Sequence, residues 1–271
     1  MRPTILLLAG LCTLLPSAVA GAQQRSNDEW LRNCRENDRG DDEVAFCDVQ
    51  EFTLRARERV TVDGRQNGSV SITGWDRPDI VVRARIQAWA ETESDARALA
   101  GEITIARDGT IEADGPNGRS WSRRGWAVSY DISVPRQTDL DIETMNGSVR
   151  ITGVRGRLGF DATNGSIVLD DVGGTVRGET TNGSVSIVLT GTQWNGSGLE
   201  VETTNGAVRI TMPDGYNARL ETGTVNGGMN FDFPITVQGK LSRREIATDI
   251  GRGGATIRAT TTNGSVSVRR R

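Results

Sequence analysis

From residue 140 to the C-terminus, apolar and polar residues alternate in short runs. Each run breaks at the same signal, Asn-Gly followed by a small residue. The asparagines are Asn146, Asn164, Asn182, Asn205, Asn226 and Asn263, spaced by 18, 18, 23, 21 and 37 residues. Six residues before them stand Leu140, Leu158, Val176, Leu199, Leu220 and Ile257. Three residues after stand Val149, Ile167, Val185, Val208, Met229 and Val266, and five after stand Ile151, Leu169, Ile187, Ile210, Phe231 and Val268. A period of two on both sides of a break predicts strand, turn, strand. The extra residues fall at 190–198 and 238–254, between units, so loops absorb the length. An earlier, less regular copy fills residues 51–135. Residues 51–62 alternate as a strand, Asn67-Gly68-Ser69 repeats the unit, and 80–88, 103–106, 110–113 and 126–134 read as further strands. Residues 92–100 predict the one helix of this half, capped by Thr92 or Ser94.

Two all-β architectures fit. Asn-Gly is a strong hairpin signal because both residues tolerate φ > 0, which suggests a long antiparallel meander. That sheet needs a second layer, and no run of amphipathic helices supplies one. The alternative is a β-solenoid whose coils stack on one another at about 4.8 Å. Stacking accounts for the same residue returning at the same phase and is the favoured expectation, with the meander as its rival. Asn67, Asn146, Asn164, Asn182, Asn205, Asn226 and Asn263 would then line up at the turns. Thr144, Thr180, Thr203, Thr224 and Thr261 would form a hydroxyl row beside them.

The N-terminus has a different pattern. Arg2 precedes an apolar run from Ile5 to Leu15, and Ala20-Gly21-Ala22 offers a cleavage site before Gln23-Gln24-Arg25. Residues 1–22 are expected to be a signal peptide; lipidation at Cys12 is disfavoured by the bulky Leu11 before it. No later stretch reaches the roughly 20 apolar residues of a membrane span. Cys34 and Cys47 remain, and a pair in an exported chain predicts a disulfide, worth about 3 kcal/mol for a loop near 15 residues. A zinc site would need two further ligands. Residues 27–36, with Asn27 as N-cap, predict a short helix, so 23–50 is expected to be a cap and 51–271 the β-repeat domain.

Composition narrows the chemistry. There are 32 basic and 35 acidic side chains, no histidine, and a net charge of −3. Loss of residues 1–22 removes Arg2 and makes the charge −4. Such a chain lacks the field for non-specific nucleic-acid binding. Without histidine there is no Ser-His-Asp or Cys-His catalysis and no histidine-bound metal.

The repeated Asn-Gly-Ser-Val-x-Ile units, Gly74-Trp75-Asp76, and Tyr130-Asp131-Ile132-Ser133-Val134-Pro135 resemble the bacterial putative-adhesin family of β-strand-repeat domains over roughly residues 50–271. The resemblance implies a right-handed β-solenoid or β-roll in envelope or secreted proteins. It implies no catalytic residue.

Three candidate constellations remain. Glu143, Asp161, Glu179 and Glu202 each precede an asparagine by three and would form a carboxylate row if coils stack. A solvated face laced with arginine, Arg150 and Arg209 reaching Glu143 and Glu202, is the favoured reading. A Ca²⁺ row is the lesser one, because the spacing matches no loop motif. Arg119, Trp121, Arg123, Arg124 and Trp126 interleave cations with indoles, a pattern that suits stacking on sugars or pairing with anions. Asp170-Asp171 is the adjacent acidic pair within the repeats, but neighbours on a strand face opposite ways and do not flank one glycosidic bond. The Asn-Gly-Ser units are formally glycosylation acceptors, yet Gly206-Ala207 and Gly227-Gly228 keep the turn and lose the acceptor. The expected function is therefore a non-catalytic exported envelope scaffold, an adhesin or partner-binding protein, with no cofactor and no metal. The runner-up is a carbohydrate- or envelope-polymer-binding module. A β-helix polysaccharide-degrading enzyme comes third.

Overall fold

Alternating apolar and polar residues become strands along most of the described chain. The computed structural model describes residues 17–36, 43–116, 124–232, 240–241 and 244–271. Helix α1 (Ser17–Glu36) leads to β1 (Val44–Arg55), β2 (Arg59–Asp63), β3 (Val70–Trp75) and β4 (Asp79–Ala90). Helix α2 (Glu93–Gly101) follows, then β5 (Thr104–Ala106), β6 (Thr110–Asp114) and β7 (Gly125–Pro135). The repeats begin with β8 (Asp139–Thr144), β9 (Val149–Thr152), β10 (Arg155–Ala162), β11 (Ile167–Asp170), β12 (Gly173–Asn182) and β13 (Val185–Val188). They continue with β14 (Gly198–Asn205), β15 (Val208–Met212), β16 (Ala218–Asn226) and β17 (Met229–Phe231). The last elements are β18 (Lys240–Leu241), β19 (Glu245–Ile250), β20 (Thr256–Asn263) and β21 (Val266–Arg270).

The strands form two sheets. The first has the order β1-β4-β7-β3-β9-β11-β13-β15-β21-β17, and the second β18-β19-β16-β20-β14-β12-β10-β8-β2-β6-β5. Strands on either side of an Asn-Gly lie in different sheets, as β8 and β9 do, so Asn-Gly is a corner between layers and not a hairpin. Within each sheet the repeats pair parallel and in phase: Leu140, Leu158, Val176 and Leu199 are successive partners. So are Val149, Ile167, Val185 and Val208 in the other layer. All eight are buried, each contributing about 1.5–3 kcal/mol by leaving water. In the repeats, two facing apolar layers form the core without a covering helix.

Coil order departs from chain order at both ends: β3 lies between β7 and β9 and β2 between β6 and β8, and a second departure falls within the repeats. β20 lies between β14 and β16, parallel to both, and β21 lies between β15 and β17. The C-terminal coil is thus an internal layer, where stacking in sequence order would put it at the end. Every coil offers the same edge, so phase cannot dictate the order of layers. β19 then runs antiparallel along the outer edge of β16 and covers it.

At the other end β4 pairs antiparallel with β7, and β1 with β4. The alternating run expected over 51–62 is divided: β1 belongs to the first sheet and β2 to the second. β1 also crosses the expected boundary at residue 50. Thr92 caps α2, accepting from the Asp95 amide at 3.1 Å, and α2 buries Ala96, Leu99 and Ala100. α1 is longer than the ten residues expected; Asn27 lies inside it and not at its cap, because the alanine-rich run before it also favours helix. Cys34 of α1 is disulfide-bonded to Cys47 of β1. Trp30 of α1 lies 5.7 Å from the Arg85 guanidinium of β4. Among the described residues no helix is long and apolar enough to cross a membrane.

Candidate functional site

The repeated asparagines form a continuous amide ladder. Asn164 Nδ2 donates to Asn146 Oδ1, Asn182 to Asn164, and Asn205 to Asn182, each at 2.8 Å. The inserted coil keeps the ladder unbroken: Asn263 donates to Asn205 and Asn226 to Asn263, again at 2.8 Å. Asn146 begins it, donating to Asn67 Oδ1 at 3.3 Å and to the Gln66 carbonyl at 2.6 Å.

The glycines beside the ladder have a role that the hairpin signal does not convey. None of Gly147, Gly165, Gly183, Gly206, Gly227 and Gly264 has positive φ. Each lies instead directly on the carbonyl of the glycine in the adjacent coil. A β-carbon on Gly183 would overlap the Gly165 carbonyl, 2.5 Å from its carbon and well inside the 3.0 Å limit from its oxygen. The same carbonyls accept from the buried threonines: Thr180 to Gly165, Thr203 to Gly183, Thr261 to Gly206 and Thr224 to Gly264, at 2.7–2.8 Å. Thr144 likewise donates to Gly68 at 2.7 Å. In one coil Ala162 takes the threonine's place. Apart from the Ala162 coil, these corners are held by an amide outside and a hydroxyl inside, with room for glycine alone between them.

On the outer face of the second sheet the carboxylates fall into register as one row. Glu143, Asp161, Glu179 and Glu202 are successive partners. Asp63 and Glu112 extend it, which the irregular N-terminal half had hidden. Arg65 bridges Glu112 at 2.7 Å and Asp63 at 3.5 Å. The expected pairing of Arg150 and Arg209 with Glu143 and Glu202 does not form, because the corner carries Arg150 and Arg209 into the other sheet. Arg258 of the inserted coil serves instead, 3.5 Å from Glu221, 3.7 Å from Glu200 and 4.0 Å from Glu202. Glu143, Asp161 and Glu179 make no ion pair among the described residues. No cluster of three or more metal-ligating side chains occurs among them either. Over the last two members of the row an open groove of about 610 Å³ runs across β12, β14, β20 and β16 to Arg244. Glu179, Glu202, Thr181, Thr204 and Thr262 recur along its floor.

Of the arginine–tryptophan segment, Arg119, Trp121 and Arg123 lie outside the described residues. Arg124 pairs with Glu102 at 3.1 Å. Trp126 is half-buried against the core, its indole N–H donating to the Pro116 carbonyl at 2.9 Å. Beside it is a smaller cleft of about 270 Å³, lined by Trp89, Trp126, Arg65, Gln66, Asn67 and Asp114, among others. Trp89 was not singled out from sequence, since it belongs to a strand distant in the chain; its register partner across β4 and β7 is Gly125. Tyr130 is buried nearby, and burial, reinforced by the charges of Asp63 and Glu112, pushes its phenol well above the usual range.

The sequence matches the Toastrack DUF4097 family over residues 66–269. No curated protein matches it. Among solved structures, a putative cell adhesion protein from Clostridium sporogenes ATCC 15579 is similar at 10% identity and TM-score 0.43, over 83% of this chain and 100% of its own. A putative adhesin from Bacteroides fragilis NCTC 9343 has 12% identity and TM-score 0.33, over 83% and 97%. A putative lipid binding protein from Parabacteroides distasonis ATCC 8503 has 10% identity and TM-score 0.30, over 83% and 96%.

Proposed function

From the chain's membership of the Toastrack DUF4097 family, we propose a non-catalytic, exported envelope scaffold that offers a repetitive face to a protein partner. In this reading residues 1–22 are removed as a signal peptide, 23–50 form the cap, and 51–271 wind as a right-handed stack of Asn-Gly-Ser repeats. The observation that carries it is the groove on the second sheet. Its floor carries the hydroxyls of Thr181, Thr204 and Thr262 on successive coils and the acids Glu179 and Glu202 on two of them, with Arg258 and Arg244 at its side. A broad, open, polar groove suits an extended partner and not an enclosed small molecule. The disulfide between Cys34 and Cys47 supports an oxidising compartment.

The test is retention of the purified protein on envelope preparations. Thr204→Arg, in the groove, should abolish retention, and Ser186→Arg, on the outer face of the first sheet, should leave it intact. Equal retention of both variants, or equal loss, removes the groove from the function.

A further inference from the structure

Arg150 and Arg209 do not reach Glu143 and Glu202 within the chain, yet the two pairs share one geometry. Each arginine follows its acid by seven residues across an Asn-Gly corner. Acid and arginine therefore stand at similar distances from that corner, on opposite faces of the stack. Glu143, Asp161, Glu179 and Glu202 are successive partners in the second sheet. Arg150, Val168, Ser186 and Arg209 are successive partners in the first. The two acids and the two arginines are thus both three strand spacings apart, about 14 Å. All four side chains are exposed.

We infer that the second-sheet face of one copy docks on the first-sheet face of another, with Arg150 over Glu143 and Arg209 over Glu202. A shift by one molecular thickness, without rotation, produces this match, because each coil that carries the acid also carries the arginine. The pairing that the corner prevents within a chain is made between chains. Between the two arginines the first-sheet row holds Val168 and Ser186, and beyond them Ser71 and Ser267. Such small side chains let a flat partner approach until the arginines reach it. In the opposing row Asp161 and Glu179 lie between the two acids, and like charges side by side favour a cation from outside.

The complementary charge is confined to the half of each face beside the Asn-Gly corners. Farther from them both signs occur: Arg157 and Arg177 pair with Asp139 and Glu200 on the second sheet, and Asp170 and Arg269 share the first. A contact made by translation is heterologous and leaves the same two faces open at the ends, so the association does not close. Exposed ion pairs are individually weak and screened by salt. A face of such short strands is also small for an interface between proteins, so the assembly is transient and forms at high concentration and low ionic strength. This inference does not rest on the groove reading. The acid row meets the groove at Glu179 and Glu202, and Glu143, Arg150 and Arg209 are not part of its lining. Retention on envelope preparations and self-association are separate readouts, and either can fail alone.

The experiment is sedimentation velocity of the full chain over a range of protein concentrations, with EDTA present, at about 20 mM and about 500 mM salt. Association that rises with concentration should appear at low salt and vanish at high salt. EDTA removes divalent ions that would bridge two acidic faces. Arg150→Glu combined with Arg209→Glu should leave the protein monomeric, and so should Glu143→Arg combined with Glu202→Arg. An equimolar mixture of these two double variants should associate again, because each supplies the face that the other has lost. Ser186→Arg sets a third cation opposite Glu179, seven residues before it, and should lower the concentration of onset by about threefold. A parent chain monomeric at low salt, association that persists at high salt or in either double variant, a mixture that stays monomeric, or an onset unmoved by Ser186→Arg overturns the assignment.

Discussion

Replacing Gly183 with alanine tests how the corners are held. The new methyl would overlap the Gly165 carbonyl and come within 3.0 Å of the Ser166 nitrogen. Backbone confronts backbone here, so no flexible side chain can yield, and the two coils must part by more than the slack in their hydrogen bonds. Overpacking of this kind costs about 1–3 kcal/mol. Parting the coils also strips the buried Thr180 hydroxyl of its acceptor, about 1–3 kcal/mol, and breaks the Asn182–Asn164 rung, about 0.5–1.5 kcal/mol. The expected loss is about 2.5–7.5 kcal/mol, a large part of a typical stability of about 5–15 kcal/mol. Two control substitutions separate this cause from backbone conformation. Gly215 has φ of 70° with open space around it, so Gly215→Ala should cost only about 1–2 kcal/mol. Gly228 has neither a close neighbour nor positive φ, and Gly228→Ala should be neutral or slightly stabilising. Urea unfolding followed by circular dichroism reads all three, with the Gly183→Ala midpoint falling by about 1 M or more. If Gly183→Ala costs no more than Gly215→Ala, close approach is not why these glycines recur.

Ala162 occupies a threonine position, and Ala162→Thr should add the missing hydroxyl clasp to the Gly147 carbonyl; a gain of about 0.5–1.5 kcal/mol in urea is expected, and a loss would show that the methyl does not fit. The two tyrosines of the chain, Tyr130 and Tyr216, are both buried, and burial pushes Tyr216 up to about 12 and Tyr130 higher still. Below pH 10 folded and unfolded chains both keep their phenolic protons; above it only the folded chain does, so stability falls as pH rises from 10 through 12. Phenolate absorbance should therefore appear together with unfolding, and ordinary titration at pH 10 in a still-folded protein would contradict this. Reducing Cys34–Cys47 should cost about 3 kcal/mol and free α1 before the repeats unfold. Hydrogen exchange checks it, and unchanged protection of β1 would argue against a tethering role.

Phase was legible in the sequence because stacked strands make identical demands on identical positions. The apolar columns at Leu158 and Ile167, the asparagine row and the threonine row all follow from counting. What spacing does not report is which layer a strand joins or what its neighbour is. Asn-Gly reads as a hairpin because positive φ is its commonest use; here the glycine is selected by a carbonyl 18 or more residues away. Arg150 looked close to Glu143 because the corner's change of sheet is invisible in a linear reading. The tryptophan cleft escaped for a related reason: Trp89, Asn67, Asp114 and Trp126 come from separate segments that only the capping strands bring together.

The internal position of the C-terminal coil gives this molecule a keystone. A repeat protein that grows from one end can lose its last repeat and keep a sound shorter stack. Here, loss of residues 256–271 would take a layer from the middle, leaving β14 and β16 facing each other across an empty slot. The coil of β16 and β17 cannot dock on the stack until residues 256–271, which follow it in the chain, have arrived. A prematurely ended or clipped copy would carry unpaired strand edges in its interior, the kind of surface that recruits other chains and marks a protein for removal. The layer made later in the chain is the one on which the earlier layer must wait.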